Sequence, residues 1–221
     1  MEVSSINSQW ESFIRQCAQR AKHGIITELD CDVIMYWTQI AWSFTNAFFM
    51  ISAVTDEFDL LRRLDAIKEH VKKLQPTFPW VLFLDPERLP TDVRERSKEL
   101  SLKAGFVHSM DFKCMQTTEL LPSVHPLPIV EIKLARSQQD VYDAMLLNVE
   151  VYNRETSVAA SAVEQHVFIS DFHKQFCCTI YVDNIPVSTA TTFLLDDCLY
   201  VALVATSKQY RRVGFSHLLI F

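Results

Sequence analysis

The sequence predicts an α+β protein with a mixed, mostly antiparallel sheet flanked by helices. In its second half, apolar and amphipathic segments follow one another in the order β-α-α-β-β-β-α. Two of these strands are separated only by Asp183 and Asn184, which tolerate positive φ and so favour a tight hairpin turn. The last strand leads directly into a helix. A meander followed by such a crossover is typical of a mixed sheet, not of a doubly wound parallel one.

The first half alternates helical and apolar segments in a similar way. Thr55 is expected to cap its second helix, and Gly105 to end its third. The predicted helices span residues 9–22, 56–74 and 91–104. The predicted strands span residues 47–54, 78–84 and, as one strand or a pair, 106–117.

A proline-rich segment separates the two halves. Residues 120–128 read LLPSVHPLP, with three prolines and no strong periodicity, which indicates a linker. We therefore predict an N-terminal half over 1–120, a linker over 121–128 and a second domain over 129–221. In the second domain the predicted strands are 129–134, 176–182, 185–195 and 200–205, and the predicted helices are 137–152 and 161–175.

Composition narrows the class of protein. The 221 residues are 49 % hydrophobic and 22 % charged, which is an ordinary globular balance. A net charge of −6 argues against a general nucleic-acid-binding surface, because neutralising phosphates needs a basic excess. The first ten residues lack a basic region followed by an apolar core, so we expect no secretory signal. The longest apolar stretch, near residues 40–54, is too short and too polar to span a bilayer. Six cysteines without CxxC spacing indicate reduced thiols, so we expect a cytoplasmic protein.

The last 22 residues carry the sequence feature with the clearest chemistry. An apolar run over 200–205 is followed by a polar turn over 206–209, then by Arg211, Arg212 and Gly214. Such a strand, loop and helix start can hold a phosphate, because the backbone N–H groups converge and the helix dipole adds to them. Only three glycines occur in the chain, so Gly214 indicates a place where the backbone must carry no side chain.

This stretch resembles the signature of the GCN5-related N-acetyltransferase (GNAT) family. That signature, Gln/Arg-x-x-Gly-x-Gly/Ala, joins the fourth strand to the third helix, and here it reads RRVGFS over residues 211–216. The preceding VATSKQYR and the stretch NIPVSTATTFLLDDCLYVALVAT are similar to the segments that lead into the family's loop. The resemblance covers residues 129–221 and implies an acyl-CoA N-acyltransferase-like fold. It also implies transfer of an acetyl group from acetyl-CoA to a small-molecule or peptide amine, without a metal.

By the same resemblance, the main chain of residues 204–206 pairs with the pantetheine arm, and the amides of residues 212–216 cradle the pyrophosphate. Arg211 and Arg212 then add charge-assisted contacts, and Gly214 matters most. The implied cofactor-binding residues are Val204, Ala205, Thr206, Arg211, Arg212, Val213, Gly214, Phe215 and Ser216.

The chain departs from the family pattern in two places. Ser216 stands where the family prefers glycine or alanine, a mild change because serine is small. The sequence also stops after the pyrophosphate loop, before the family's fifth strand and a tyrosine that commonly protonates the leaving thiolate. The alternatives are therefore an inactive acetyltransferase-like interaction or CoA-binding protein, or a truncated gene product that self-associates through its exposed edge.

The first half resembles a degenerate copy of the same fold. Residues 78–106 repeat the strand, turn, helix and Gly-Phe order without a glycine in the loop, as in tandem-type acetyltransferases. The sequence thus predicts two related halves, the second truncated.

Other candidate residues carry weaker signals. His166 and His173 lie near Cys177 and Cys178, but their spacing fits no zinc pattern. Glu155 and Glu164 are candidates for a catalytic base, with solvated carboxylates as the favoured interpretation. The aromatic segment 37–49 is either a partner surface or, more in keeping with its composition, core packing.

Overall fold

The computed structural model describes residues 6–112, 115–119, 128–165, 167, 175–195 and 198–220. The chain divides into two compact units: residues 1–19 with 23–115, and residues 20–22 with 116–221. Each unit has its own four-stranded sheet with flanking helices. The predicted α+β class with a mixed, mostly antiparallel sheet is therefore confirmed.

The first unit holds the sheet order β1-β2-β3-β4. The first three strands form an antiparallel meander, and β4 then pairs parallel to β3 after a helical crossover. Short 3₁₀ turns lie at Ser43–Thr45 and Pro86–Arg88. The helices and strands are α1 (Ile6–Arg20), β1 (Ile25–Leu29), β2 (Val33–Trp37), β3 (Asn46–Met50), α2 (Glu57–Leu74), β4 (Val81–Phe83) and α3 (Thr91–Lys103).

The core of the first unit explains its aromatic segment. Trp37, Trp42 and Phe48 are buried, so core packing is the role of this segment and not a partner surface. One face of the sheet packs on α2 and α3 through apolar side chains, which include Val33, Met35, Met50, Leu60, Leu64, Ile67, Val93 and Leu100.

Helix α2 begins one residue later than predicted. Asp56, not Thr55, is its N-cap, and the Asp56 carboxylate accepts a 2.8 Å hydrogen bond from the Asp59 amide. Thr55 instead donates its own amide to the Asp59 carboxylate at 3.1 Å. The helix ends at Leu74, and its C-cap residue Gln75 adopts the left-handed conformation that glycine most often supplies at this position.

A buried arginine ties α2 to the loop that follows β3. The Arg63 side chain is 2 % exposed and donates to Asp59 at 2.8 Å, to the Ser52 carbonyl at 3.1 Å and to the Ala53 carbonyl at 3.0 Å. Asp32 lies 3.8 Å from the same guanidinium. The loop is thus held from inside by a charged side chain whose hydrogen-bonding groups are largely satisfied.

Three strand predictions for the first half need correction. The predicted strand 47–54 ends at Met50, and the predicted strand 78–84 shrinks to Val81–Phe83. The predicted strand over 106–117 is wrong, because none of its described residues lies in a strand. In that segment Asp111 bonds His108 at 3.0 Å and Lys98 at 2.9 Å, so local ion pairs take the place of sheet pairing.

The second unit holds the antiparallel sheet order β5-β6-β7-β8. Its elements follow the predicted order β-α-α-β-β-β-α. A 3₁₀ turn at Lys208–Tyr210 precedes its last helix. The elements are β5 (Glu131–Leu134), α4 (Gln138–Val151), α5 (Ser157–Glu164), β6 (Gln175–Val182), β7 (Ile185–Leu195), β8 (Cys198–Thr206) and α6 (Phe215–Ile220).

Two local predictions for this unit differ in outcome. The hairpin turn is confirmed, since Asp183 and Asn184 have φ of 52° and 63°. The predicted helix over 161–175 is confirmed only for residues 161–164: α5 begins earlier, at Ser157, where the buried stripe of Val158, Ala159 and Ala162 starts, and it ends at Glu164, while Gln175 begins β6. Residues 166 and 168–174 of this prediction lie outside the described residues. The described residues do not include Cys114, His166, His173, residues 196–197 or the predicted linker up to residue 127.

Three further observations bear on the sequence predictions. The cysteines at positions 17, 31, 177, 178 and 198 are free thiols. No group of His, Cys, Asp or Glu within the described ranges could hold a metal ion. No helix among the described residues is both long and apolar enough to cross a membrane.

Candidate functional site

The candidate site is built on β8, which lies at the edge of the second sheet. One side of β8 pairs with β7, and the other side meets no strand in the part of the chain that the structure describes. The strand interior is anchored by Ala202 and Ala205, both buried. Backbone N–H and C=O groups on the open side are therefore available to pair with an extended ligand.

A β-bulge interrupts β8 near its C-terminal end. Thr191 pairs with Ala202 and Thr189 with Ala205, so two residues of β8, Leu203 and Val204, stand opposite one residue of β7. Leu203 has a φ of 51°, a left-handed conformation that is uncommon for a bulky side chain. Such strain costs about 1–3 kcal/mol and persists only where the surroundings hold it, often at functional sites.

The last turn of α4 contacts this part of β8 from one side. The Tyr152 hydroxyl donates to the Val204 carbonyl at 3.3 Å. The Ser207 hydroxyl donates to the Glu150 carboxylate at 3.4 Å. Burial raises the pKa of the Tyr152 phenol above its ordinary value, so the hydroxyl keeps its proton and remains a donor.

The loop between β8 and α6 has two left-handed positions. Ser207 donates its amide to the Val187 carbonyl at 2.9 Å, and Arg211 donates its Nε to the Thr206 carbonyl at 3.1 Å. Arg212 has a φ of 67° and Gly214 a φ of 88°. These left-handed positions turn the chain from β8 into α6, whose first amides lack intrahelical acceptors.

Helix α6 is fixed to the sheet by an aromatic anchor. Phe215 is 7 % exposed and packs with Ile180 and Val187. The Tyr210 ring stacks on it with 6.2 Å between the ring centroids. The loop is therefore clamped at both ends, by the β8 pairing and by Phe215.

The charge at this loop is positive. Lys208, Arg211 and Arg212 are exposed, and no carboxylate among the described residues forms an ion pair with them. An open cleft of about 670 Å³ borders the loop, lined by Glu150, Ile185, Pro186, Ser207, Lys208, Gln209 and Tyr210. In a chain of net charge −6, such a spot favours a small anion over an extended polyanion.

The structure brings the predicted cofactor residues together but leaves the other candidates elsewhere. Residues 204–206 form the end of β8, and residues 211–216 form the loop and the first turn of α6. Glu155 lies between α4 and α5, where the Ser157 hydroxyl donates to it at 3.4 Å, and Glu164 is the exposed last residue of α5. Cys177 is buried against Thr189 and Thr191 in the sheet.

Two features of the site escaped the sequence analysis. The apolar run 200–205 gives no sign of a bulge, because Leu203 and Val204 fit a regular strand equally well. Tyr152 follows the buried Met145 and Val149 at helical spacing, which places it on the same face of α4. That spacing could have identified α4 as the helix that contacts β8, but it could not have shown that the contacted group is the Val204 carbonyl.

Similarity to solved structures decides the fold. A GCN5-related N-acetyltransferase from Kribbella flavida matches with a TM-score of 0.62, at 17 % identity, over 98 % of this chain and 79 % of that chain. The fold is that of the GCN5-related N-acetyltransferases. Because the match covers 98 % of this chain, it includes residues of both units.

Two other solved structures resemble the chain less closely. One is a conserved protein of unknown function from Staphylococcus epidermidis, with a TM-score of 0.49 at 15 % identity over 90 % of this chain and 78 % of that chain. The other is a putative acetyltransferase from Pyrococcus horikoshii, with a TM-score of 0.33 at 17 % identity over 45 % of this chain and 35 % of that chain. No protein-family model matches the sequence. Among curated proteins, no significant match is found.

Proposed function

We propose that this protein is an acetyl-CoA-dependent N-acetyltransferase whose donor site lies in the second unit. One observation carries the proposal: in an acetyltransferase fold, an open-edged, bulged strand runs into a cationic loop that contains Gly214. The acceptor is a primary or secondary amine of a small molecule or peptide. The cytoplasmic location and the possible self-association through the β8 edge stay predictions from the sequence.

The loop residues fit a pyrophosphate. The amides from Arg212 to Ser216 are the donors, and Gly214, at a φ of 88°, lets the ligand approach the main chain. Arg212 and Lys208 have no carboxylate partner among the described side chains, so they can neutralise phosphate charge. The Arg211 Nε donates to the Thr206 carbonyl, and this hydrogen bond fixes the position of the terminal guanidinium nitrogens.

The open side of β8 fits an extended amide-containing arm. Residues 204–206 would pair with it as an added strand does, through backbone groups alone. Because the pyrophosphate lies at the loop, the arm runs back along β8 and its thioester end lies near Val204. Acetyl-CoA supplies the activated acyl group, and the chain's part is to hold it still for attack by the amine. In the net reaction an N–C bond forms and the C–S bond breaks, so that CoA leaves as its thiol, its sulfur taking up the proton that the amine nitrogen loses.

We further propose that the first unit does not bind the cofactor. Its strand β3 is followed by a loop and by α2, much as β8 is followed by its loop and by α6. That loop has no glycine, and amides at the start of α2 are already engaged: the Thr55 amide donates to the Asp59 carboxylate and the Asp59 amide to the Asp56 carboxylate. Donors that a phosphate would need are therefore held by carboxylates, which also repel its charge.

Calorimetric titration with acetyl-CoA tests both statements. We expect wild-type protein to bind one equivalent, and Gly214→Glu to weaken binding by about tenfold or more, because a side chain at this φ is strained and its charge repels phosphate. Gly105→Glu is the matched control: Gly105 has a φ of 89°, also precedes a phenylalanine, and leaves open space around a Cβ. Absence of binding to wild-type protein would refute the donor site, and two equivalents would refute the statement on the first unit.

A non-catalytic CoA-binding protein is the alternative to this function. It shares the donor site but makes no product. Incubation of the protein with acetyl-CoA and a panel of amines, followed by thiol detection, separates the two: thiol release that depends on an amine supports transfer, and binding without release supports the alternative.

A further inference from the structure

The bulge of β8 raises the question of what holds it in place. Leu203 adopts a left-handed conformation that its side chain disfavours, and no glycine relieves the strain. The sheet itself contributes little here, because the ladder to β7 skips from Ala202 to Ala205. A contact from outside the sheet is therefore needed to fix the intervening peptides.

Tyr152 supplies such a contact. Its hydroxyl donates to the carbonyl of Val204, the residue that directly follows Leu203. The ring stands at the C-cap of α4, a helix whose N-terminus is fixed by the capping box of Ser137 and Asp140. The side chain is 42 % exposed, so it is reachable from the solvent side while its hydroxyl touches the strand. The same turn of α4 carries Glu150, which contacts Ser207 beyond the end of β8.

The proposed path of the donor places the thioester at this point. The pyrophosphate lies at residues 212–216 and the arm along 204–206, so the acyl end comes next to the bulge. Backbone groups of Leu203 and Val204 are released from β7 by the bulge, and one of them, the Val204 carbonyl, is held by Tyr152. The orientation of the peptide groups beside the thioester thus depends on the Tyr152 hydroxyl.

We propose that Tyr152 is a positioning residue for the acyl group: its hydrogen bond to Val204 sets the bulge of β8 in the orientation that receives the acetyl thioester. This inference rests on the proposed function. It concerns the acetyl group alone and leaves the pyrophosphate loop unaffected, because that loop is held by the Arg211–Thr206 hydrogen bond and by the packing of Phe215, neither of which involves Tyr152.

The test compares the affinities of acetyl-CoA and CoA by calorimetric titration. Tyr152→Phe removes the hydroxyl and keeps the ring. We expect this variant to bind CoA within about twofold of wild type and to bind acetyl-CoA about three- to tenfold more weakly, the effect of one lost hydrogen bond. Tyr142→Phe is the matched control, since Tyr142 lies on the same helix and bonds no described residue of β8.

The possible outcomes separate this inference from the function on which it rests. Failure of wild-type protein to bind either ligand refutes the donor site and, with it, the role of Tyr152. Binding of both ligands with the same affinity ratio in wild type and Tyr152→Phe refutes the positioning role alone. An equal loss for both ligands also refutes it, because a structural change spread over the site would weaken both. The positioning role is supported if Tyr152→Phe loses affinity for acetyl-CoA but not for CoA, and if Tyr142→Phe shows no such loss.

Discussion

Replacement of Asp59 by asparagine should destabilise the first unit and leave the second unit intact. Asp59 accepts hydrogen bonds from Arg63 at 2.8 Å, from Arg62 at 2.6 Å and from the Thr55 amide at 3.1 Å. The Arg63 side chain is 2 % exposed, so Asp59→Asn leaves a buried cation without its main counter-charge. Removing one partner of a buried pair costs about 3–5 kcal/mol. Asp32 lies 3.8 Å from Arg63, is largely exposed and offsets part of this cost. We therefore expect Asp59→Asn to lower the free energy of unfolding of the first unit by about 3 kcal/mol.

Tryptophan fluorescence in urea measures this effect selectively. All four tryptophans, at positions 10, 37, 42 and 80, belong to the first unit, so the signal follows the unfolding of that unit. With an m-value of about 2 kcal/mol per molar urea, the midpoint should fall by about 1.5 M. Asp65→Asn is the control, because Asp65 pairs with Lys68 on the exposed surface and its loss should change stability by less than about 0.5 kcal/mol. Equal midpoints for the two variants would show that the Arg63 pair contributes nothing beyond a surface contact.

Two further predictions concern pH and charge. Burial opposes ionisation of Asp59, but the hydrogen bonds from Arg63, Arg62 and the Thr55 amide outweigh it and lower its pKa to about 2. Because this folded-state pKa lies below the ordinary value, the pair's contribution, about 2 kcal/mol, is complete above about pH 4 and is lost as the pH falls towards 2. When wild type is titrated with acid and monitored by tryptophan fluorescence, the stability of the first unit should fall with pH over this range. The same fall in Asp59→Asn would contradict the assignment of this pKa to Asp59. At the donor site, Arg212→Ala should weaken acetyl-CoA binding about tenfold, and less at high salt, while Arg136→Ala, an exposed site on the loop before α4, should not. A salt-independent loss would argue that Arg212 shapes the loop and does not neutralise phosphate.

Local chemistry explains which parts of the fold could be predicted from the sequence. The β6–β7 hairpin was predicted with its turn and with the bounds of β7, because Asp183 and Asn184 supply the positive φ that the turn requires. The helix α4 was predicted from Ser137, whose side chain caps it together with Asp140. The loop before α6 was located because Gly214 is one of few glycines in the chain.

The features that could not be predicted depend on contacts between distant residues. The bulge at Leu203 appears only in the register against β7, and Tyr152 contacts the Val204 carbonyl from 52 residues earlier in the chain; an apolar run carries no sign of either. Arg63 and the loop at Ser52 look like a surface charge and a polar turn when each is taken alone. The strand predicted over 106–117 was wrong for a different reason. Its apolar residues suggested sheet pairing, but in the structure Asp111 of this segment bonds to Lys98 and His108.

The bulge in β8 also limits how copies of this protein can aggregate. An exposed strand edge is a template for the growth of intermolecular sheets, and the open side of β8 presents such an edge within the described residues. A regular strand added there would stay in register only as far as Ala202, because the left-handed turn at Leu203 changes the spacing of the backbone groups beyond it. The irregularity therefore shortens the stretch of regular strand edge on which an intermolecular sheet could begin.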